Sequence, residues 1–249
     1  MRSLICIKQS NENGDMNLFD AHAIEEAFKL KQEFENHGIR GDFSVDVVTI
    51  GPCENSKIIQ RAFGMGADRG YHVITKETGY NFSFETASKL AVVAKKESYD
   101  LVLTGIMSQD LMAGQTGPML AEILDLPCVT GVVKTELTVD NSSIKVEQEM
   151  DNGIRNALEI TLPAVLTIQA GINTPRYPTL SKMLAAGKKE IMTFNETDLF
   201  SKTTGAVQAR ETFVSMEDPE KTRAAHVLQG SNNSKAKQLF TILHDKALI

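Results

Sequence analysis

Asp100-Leu-Val-Leu-Thr-Gly-Ile-Met-Ser-Gln-Asp-Leu-Met-Ala-Gly-Gln-Thr-Gly-Pro-Met-Leu-Ala-Glu-Ile-Leu-Asp-Leu-Pro127 is the stretch whose reading decides the fold. Its opening apolar run stops abruptly at Thr104-Gly105, and an amphipathic segment begins near Gln115, so the piece reads as strand, polar loop, helix. A helix start is a favourable seat for phosphate, because its first N–H groups lack internal partners and the helix dipole favours an anion there. Gln115, Thr116 and Gly117 supply side-chain donors and a close-approach backbone at that point, while Gly105 and Gly114 give the loop freedom that a Cβ would remove. Neither Gly-Lys-Ser/Thr nor Gly-x-Gly-x-x-Gly is present. Spacing alone therefore fits a nucleotide site and an ordinary strand-to-helix turn equally.

The rest of the chain supplies the sheet. Leu4 to Ile7 is a continuous apolar run, as expected of a strand covered on both faces, with Lys8, Gln9 and Ser10 at its carboxyl end. A helix capped by Asn17 or Asp20 follows and ends near Gly38. Val45 to Ile50, cut by Gly51-Pro52, is a second strand, and helix, short strand near His72 and helix then lead to Leu101. This alternation predicts an α/β fold of the doubly wound, Rossmann-like kind with a mainly parallel sheet. Beyond Pro127 the rhythm changes: strand-like runs at 128–133, 134–139, 144–150 and 155–162, with turns at Asp140-Asn141 and Asp151-Asn152-Gly153, predict two added β-hairpins. Pro163 to Ile168 is another buried strand, followed by a loop held extended by Pro175 and Pro178 and a short helix over 180–186.

From about Phe194 the chain becomes polar and aperiodic, and it recovers an apolar stripe only at Ala236, Leu239, Phe240, Leu243 and Ala247, with Ser231 or Ser234 as caps. The expected organisation is thus a nucleotide-binding α/β domain over 1–193 and a C-terminal arm and helix over 194–249. That helix suits docking on its own domain or on a partner subunit.

Composition narrows the function classes. The chain has 249 residues, 42% of them hydrophobic, and a formal net charge of -6, which suits one large core and leaves no footprint for nucleic acid. Cys6, Cys53 and Cys128 lack metal-ligand spacing and point to a reducing compartment. No apolar run is long enough to span a bilayer and the first strand starts near Met1, so a cytoplasmic, non-integral protein is expected. No Ser-His-Asp set, zinc spacing or catalytic carboxylate pair is apparent. The five histidines fall in separate segments, as surface or helix-end residues would.

Several fragments together resemble the β subunit of electron-transfer flavoproteins. They are Lys8-Gln9, Asn17 to Ala27, Thr49 to Pro52, Arg61 to Arg69, the loop ending in Gln115-Thr-Gly117, Leu162 to Thr167 and Ile172 to Met183, all in family order. The resemblance implies an electron carrier subunit, not an enzyme. It implies a heterodimer with an α subunit that holds the redox FAD, passing electrons from acyl-CoA or other flavin dehydrogenases to a quinone reductase or other acceptor. It also implies an adenine nucleotide in this subunit, AMP or a second FAD, and a C-terminal segment reaching onto the α subunit. Carried over by position, the nucleotide would be lined by Lys8, Gln9, Asn17, Phe19, Asp20, Ile50, Gly51, Gly105, Asp110, Ala113, Gly114, Gln115, Thr116 and Gly117. Asp110 and Asn17 would reach ribose or base edges, with a loop-capping carboxylate as the plainer reading of Asp110. Leu180 would be the apolar anchor for a dehydrogenase. The chain departs from the family in a short 9–17 segment that leaves out a hairpin, in Gln148 for arginine, in Thr174 for glutamate, and in the loop residues Ile106 to Gln109, Leu111 and Met112. A stand-alone adenine-nucleotide sensor or hydrolase of the same α/β type is the alternative, with residues 195–249 as a lid.

Overall fold

The computed structural model describes residues 1–10, 14–38, 41–75, 82–195, 214–215 and 227–248. The first strand, β1 (Arg2–Cys6), is followed by α1 (Leu18–Asn36), β2 (Ser44–Gly51), α2 (Ser56–Met65), β3 (Arg69–Ile74), α3 (Ser83–Lys96), β4 (Leu101–Gly105) and α4 (Thr116–Leu124). Then come β5 (Cys128–Leu137), β6 (Ser143–Glu149), β7 (Arg155–Thr161), β8 (Ala164–Ile168), α5 (Leu180–Ala186) and β9 (Met192–Asn195). Among the described residues these strands make one nine-stranded sheet in the order β7-β6-β5-β8-β4-β1-β2-β3-β9. Every pair from β5 to β9 in that order is parallel, and β5-β6-β7 is antiparallel. The expected mainly parallel α/β fold with two added hairpins is the fold observed.

Alternation along the strands builds two cores, one on each face of the sheet. Ile5, Val47, Leu103 and Leu166 pack with α1, α2 and Ala186 of α5 on one face. Leu4, Val48, Val102 and Val165 pack with α3 and α4 on the other. Leu4, Ile5, Leu101, Leu103 and Leu166 are wholly buried, and each such side chain contributes about 1.5–3 kcal/mol of burial. At the amino end of the sheet, the buried Asp46 of β2 accepts from Arg69 Nε at 3.1 Å, from Arg69 Nη2 at 2.6 Å and from the Tyr99 hydroxyl at 3.0 Å. A buried carboxylate is tolerable only with such partners.

Three sequence expectations change here. β5 is one strand and not two, because it bends through register shifts at Val129/Val132 and Val132/Lys134. Its first half pairs with β8 and its second with β6, so a strand covered on both faces turns into one with a solvated face. The segment after Lys8 keeps a residual antiparallel bridge, Gln9 to Met16. His22 and His72 are buried core residues and not surface ones. His72 Nε2 lies 3.1 Å from the Gly51 carbonyl and His22 Nδ1 lies 3.0 Å from Asn173 Oδ1. His226 lies outside the described residues.

The chain divides into two compact units, 1–212 and 213–249. The sheet of the first includes Phe194 and Asn195, two residues past the expected boundary. In the second, helix α6 (Asn232–Asp245) starts at Ser231, whose hydroxyl accepts from Ser234 N–H. Leu239 and Phe240 of α6 are exposed. Most of the polar stretch expected over 195–229 lies outside the described residues.

Candidate functional site

Strand order reverses between β1 and β4. From β1 the chain winds outward through α1 to β2 and β3, whereas β4 lies on the other side of β1 and its helix α4 packs on the opposite face. The carboxyl ends of two neighbouring parallel strands therefore splay around a crevice, the usual ligand position in such sheets. A cleft with a volume of about 130 Å³ opens there. Of the residues singled out by sequence, Lys8, Asn17, Asp20, Ile50, Gly105 and the run Ala113 to Gly117 line it, and Gln9, Phe19, Gly51 and Asp110 do not.

Asp20 ties the two strand ends together. One carboxyl oxygen accepts the Lys8 backbone N–H at 2.7 Å, and the other accepts the Gly105 N–H at 3.1 Å. Complete burial pushes its pKa up to about 7, although these N–H groups and Asn17 pull it down. Gly105 is required for this approach: a Cβ there would lie 2.5 Å from Asp20 Oδ1 and 2.6 Å from Phe19 Cβ. Asn17 is only 2% exposed. Its amide donates to the Met107 carbonyl at 3.0 Å and accepts from Gln109 N–H at 3.2 Å. Asn17 thus holds the loop after β4 against the start of α1.

Asp110 pairs with Lys8 instead of turning inward, with Nζ to oxygen distances of 2.6 and 2.8 Å, and accepts Leu111 N–H at 2.8 Å. Partial burial raises its pKa, but hydrogen bonds from Lys8 and Ser108 hold it below the usual carboxylate range. The loop-capping reading of Asp110 matches this geometry. Gly51 is occupied by structure as well: a Cβ there would meet Asn55 Nδ2 at 2.1 Å, and its carbonyl accepts Thr75 N–H at 3.1 Å. Gln9 is engaged in its bridge to Met16.

The far wall was invisible to sequence reasoning. Ser83, Thr86 and Leu90 of α3 line the cleft, as does Cys6. Two helices open onto it at their amino ends, α3 and α4, and at α4 the N-cap residue Gln115 makes no side-chain cap. Cys6 carried a usable signal, since period two puts it on the same strand face as Lys8. The α3 wall carried none, since an isolated Ser and Thr at a helix start read as ordinary capping chemistry. Chemically, the cleft offers the uncapped start of α4 and one lysine to an anion, hydroxyls to a sugar, and an apolar wall of Ile50, Leu90 and Cys6 to a flat ring.

On the α1 side of the sheet, the loop 172–178 is fixed to the same helix. Glu25 accepts from Arg176 Nε at 2.8 Å, Arg176 Nη2 at 2.9 Å and the Arg176 backbone N–H at 3.0 Å. Asn173 Nδ2 donates to the His22 carbonyl at 2.9 Å and to Glu26 at 2.7 Å. Beyond this anchorage Tyr177, Leu180 and Leu184 project into solvent, 85%, 77% and 67% exposed. Leu180 is thus one of three exposed large apolar side chains within eight residues of sequence, interspersed with exposed Thr179, Ser181 and Lys182. Of the departures noted above, Gln148 donates to the Thr130 carbonyl at 2.9 Å, and Thr174 is exposed. Among the described residues no cluster of His, Cys, Asp and Glu could hold a metal, and no helix is long and apolar enough to cross a membrane.

Comparison with known proteins gives the family. The family model described as "Electron transfer flavoprotein domain" matches residues 5–199. The electron transfer flavoprotein subunit beta of Bacillus subtilis is 31% identical over 235 residues, covering 94% of this chain and 87% of the relative. The subunit of the same name from Bos taurus is 35% identical over 224 residues, covering 89% and 83%. That of Methylophilus methylotrophus is 30% identical over 233 residues, covering 93% and 86%. With the family model covering most of its length and β-subunit relatives matched nearly end to end, the chain belongs to the electron transfer flavoprotein family as a β subunit.

Proposed function

We propose that this subunit holds an adenosine monophosphate moiety, carried by AMP or by FAD, in the cleft between β1 and β4, and so supports the flavin of an α subunit in electron transfer. The observation that carries this reading is the uncapped start of α4 at the switch point, beside Lys8. Free N–H groups of Thr116 and Gly117 would receive the phosphate, with Lys8 exchanging Asp110 for it. Ser83 and Thr86 are placed for the ribose, and Ile50, Leu90 and Cys6 for the adenine face. Asn17 and Asp20 act through the loop they brace, and Asp110 through Lys8.

FAD on the α subunit supplies the redox chemistry; the β chain contributes position and polarity and takes no part as acid, base or nucleophile. A role as an electron carrier subunit and not an enzyme follows. Leu180, with Tyr177 and Leu184, is the docking point for an acyl-CoA or other flavin dehydrogenase, and the arm over 194–249 reaches onto the α subunit. Electrons pass on to a quinone reductase or another acceptor. A cytoplasmic location is part of this reading.

Co-expression with an α-like chain tests it. The expected product is a yellow one-to-one complex that loses its partner when residues 195–249 are deleted. A colourless monomer that binds or hydrolyses ATP would refute it in favour of a sensor or hydrolase.

A further inference from the structure

One helix carries both the cleft and the exposed loop. In its first turn, Asn17 and Leu18 hold the loop after β4, with Leu18 N–H donating to Gln109 Oε1 at 3.0 Å, and Asp20 holds Lys8 and Gly105. In the next turns His22, Glu25 and Glu26 hold Asn173 and Arg176. Asn17 to Glu25 spans on the order of 12 Å along the axis. Between them Ala23 and Ile24 are fully buried against the sheet, so this stretch of α1 shifts as a unit or stays put. The Arg176 guanidinium also lies over the Phe28 ring, 4.5 Å from its centroid. On its other side α5 rests on α2, where a Cβ at Gly64 would meet Met183 Sδ at 2.6 Å and Pro178 Cβ at 3.0 Å.

We infer that α1 couples the cleft to the docking loop: filling the cleft with an adenosine phosphate orders residues 172–186 and readies Tyr177, Leu180 and Leu184 for a partner. The inference rests on the nucleotide reading of the cleft given above. Its cause is shared order. Phosphate draws on Lys8 and on the loop 105–117, whose ties to the rest of the molecule include Asn17, Leu18 and Asp20 of α1. A fixed helix start then holds the carboxylates that grip the second loop. A partner that docks afterwards pays less ordering entropy, and by reciprocity docking tightens the nucleotide.

Hydrogen exchange of the full chain in its complex with the α subunit, reconstituted with and without AMP, reads this directly. AMP should slow exchange in peptides covering 105–117 and, by about fivefold or more, the low end of common coupling factors, in those covering 172–186. The β6–β7 hairpin should stay unchanged. Asn173→Ala should abolish the distant effect and keep the local one. Glu25→Gln, which keeps the shape of the side chain and weakens its pair with Arg176, should reduce it and serves if the first variant fails to fold. Slowing confined to 105–117 in the wild-type protein would overturn the coupling and leave the nucleotide reading intact. So would slowing that spreads equally to the β6–β7 hairpin, which reports global stabilisation. No slowing anywhere, with no AMP retained, would overturn both.

Discussion

Gly105→Ala tests the joint on which the cleft depends. Gly105 does not have a positive φ, so alanine brings no backbone penalty and the effect is steric alone. The added methyl would lie 2.5 Å from Asp20 Oδ1, 2.6 Å from Phe19 Cβ and 3.0 Å from Asp20 N. Two of these atoms belong to, or adjoin, the α1 backbone, so no rotamer change relieves the clash and β4 must part from α1. Overpacking of that kind costs about 1–3 kcal/mol. The same movement stretches the 3.1 Å bond from Gly105 N–H to Asp20, a hydrogen bond to a charged group worth about 1.5–3 kcal/mol. Together the loss is about 2.5–6 kcal/mol, a large share of the stability of an ordinary domain. Urea denaturation followed by circular dichroism reads that number, and adenine released on acid denaturation reads the cleft. Gly187→Ala is the control, since its nearest neighbours stand 3.7 and 3.8 Å away and its φ is ordinary; it should be neutral. A Gly105→Ala protein within 1 kcal/mol of wild type and still loaded with nucleotide would refute the reasoning.

Lys8→Ala should leave stability nearly unchanged, because the Lys8–Asp110 pair is partly exposed and such pairs are worth about 0–1 kcal/mol. It should weaken nucleotide binding about tenfold or more by calorimetry, through loss of a charged hydrogen-bond donor. Asp46→Ala should destabilise the fold by about 1–3 kcal/mol in urea, since it takes the acceptor from the buried Tyr99 hydroxyl and leaves Arg69 with Glu97 as its remaining carboxylate partner. For Asp20 the sign of the pH dependence is opposite to that of a salt-bridged carboxylate. Its folded pKa is pushed up to about 7 while the unfolded value is near 4, so the folded chain binds the extra proton between those values. The Asp20 contribution to stability is therefore full below about pH 4 and is lost as pH rises through 7. Denaturation at pH 5 and pH 8 should show that slope, and Asp20→Asn should flatten it.

The parallel core was legible because strands covered on both faces read as unbroken apolar runs, as in Leu4 to Ile7 and Leu101 to Leu103, and each was followed by a helical stripe. The break placed inside β5 came from Lys134, which ends an apolar run at the point where the strand gains a solvated face. β9 escaped notice because it is a four-residue edge strand whose pairing with β3 no local pattern announces. Within the site, the loop from Gly105 to Gly117 was visible through its glycines and its helix start. The roles of Asn17 and Asp20 were not, since a side chain that braces a loop and one that reaches a ligand have the same composition and position in sequence. The burial of His22 and His72 was hidden for a related reason: their partners, Asn173 and the Gly51 carbonyl, lie far away in the chain.

The most direct measurement is a nucleotide count on the co-purified complex with its α subunit. Acid denaturation followed by chromatography of the released small molecules should give one FAD from the α subunit and one further adenine nucleotide, AMP or a second FAD, for each pair, and Gly105→Ala should lose only the latter. A complex that releases a single flavin and no other adenine compound would contradict the account.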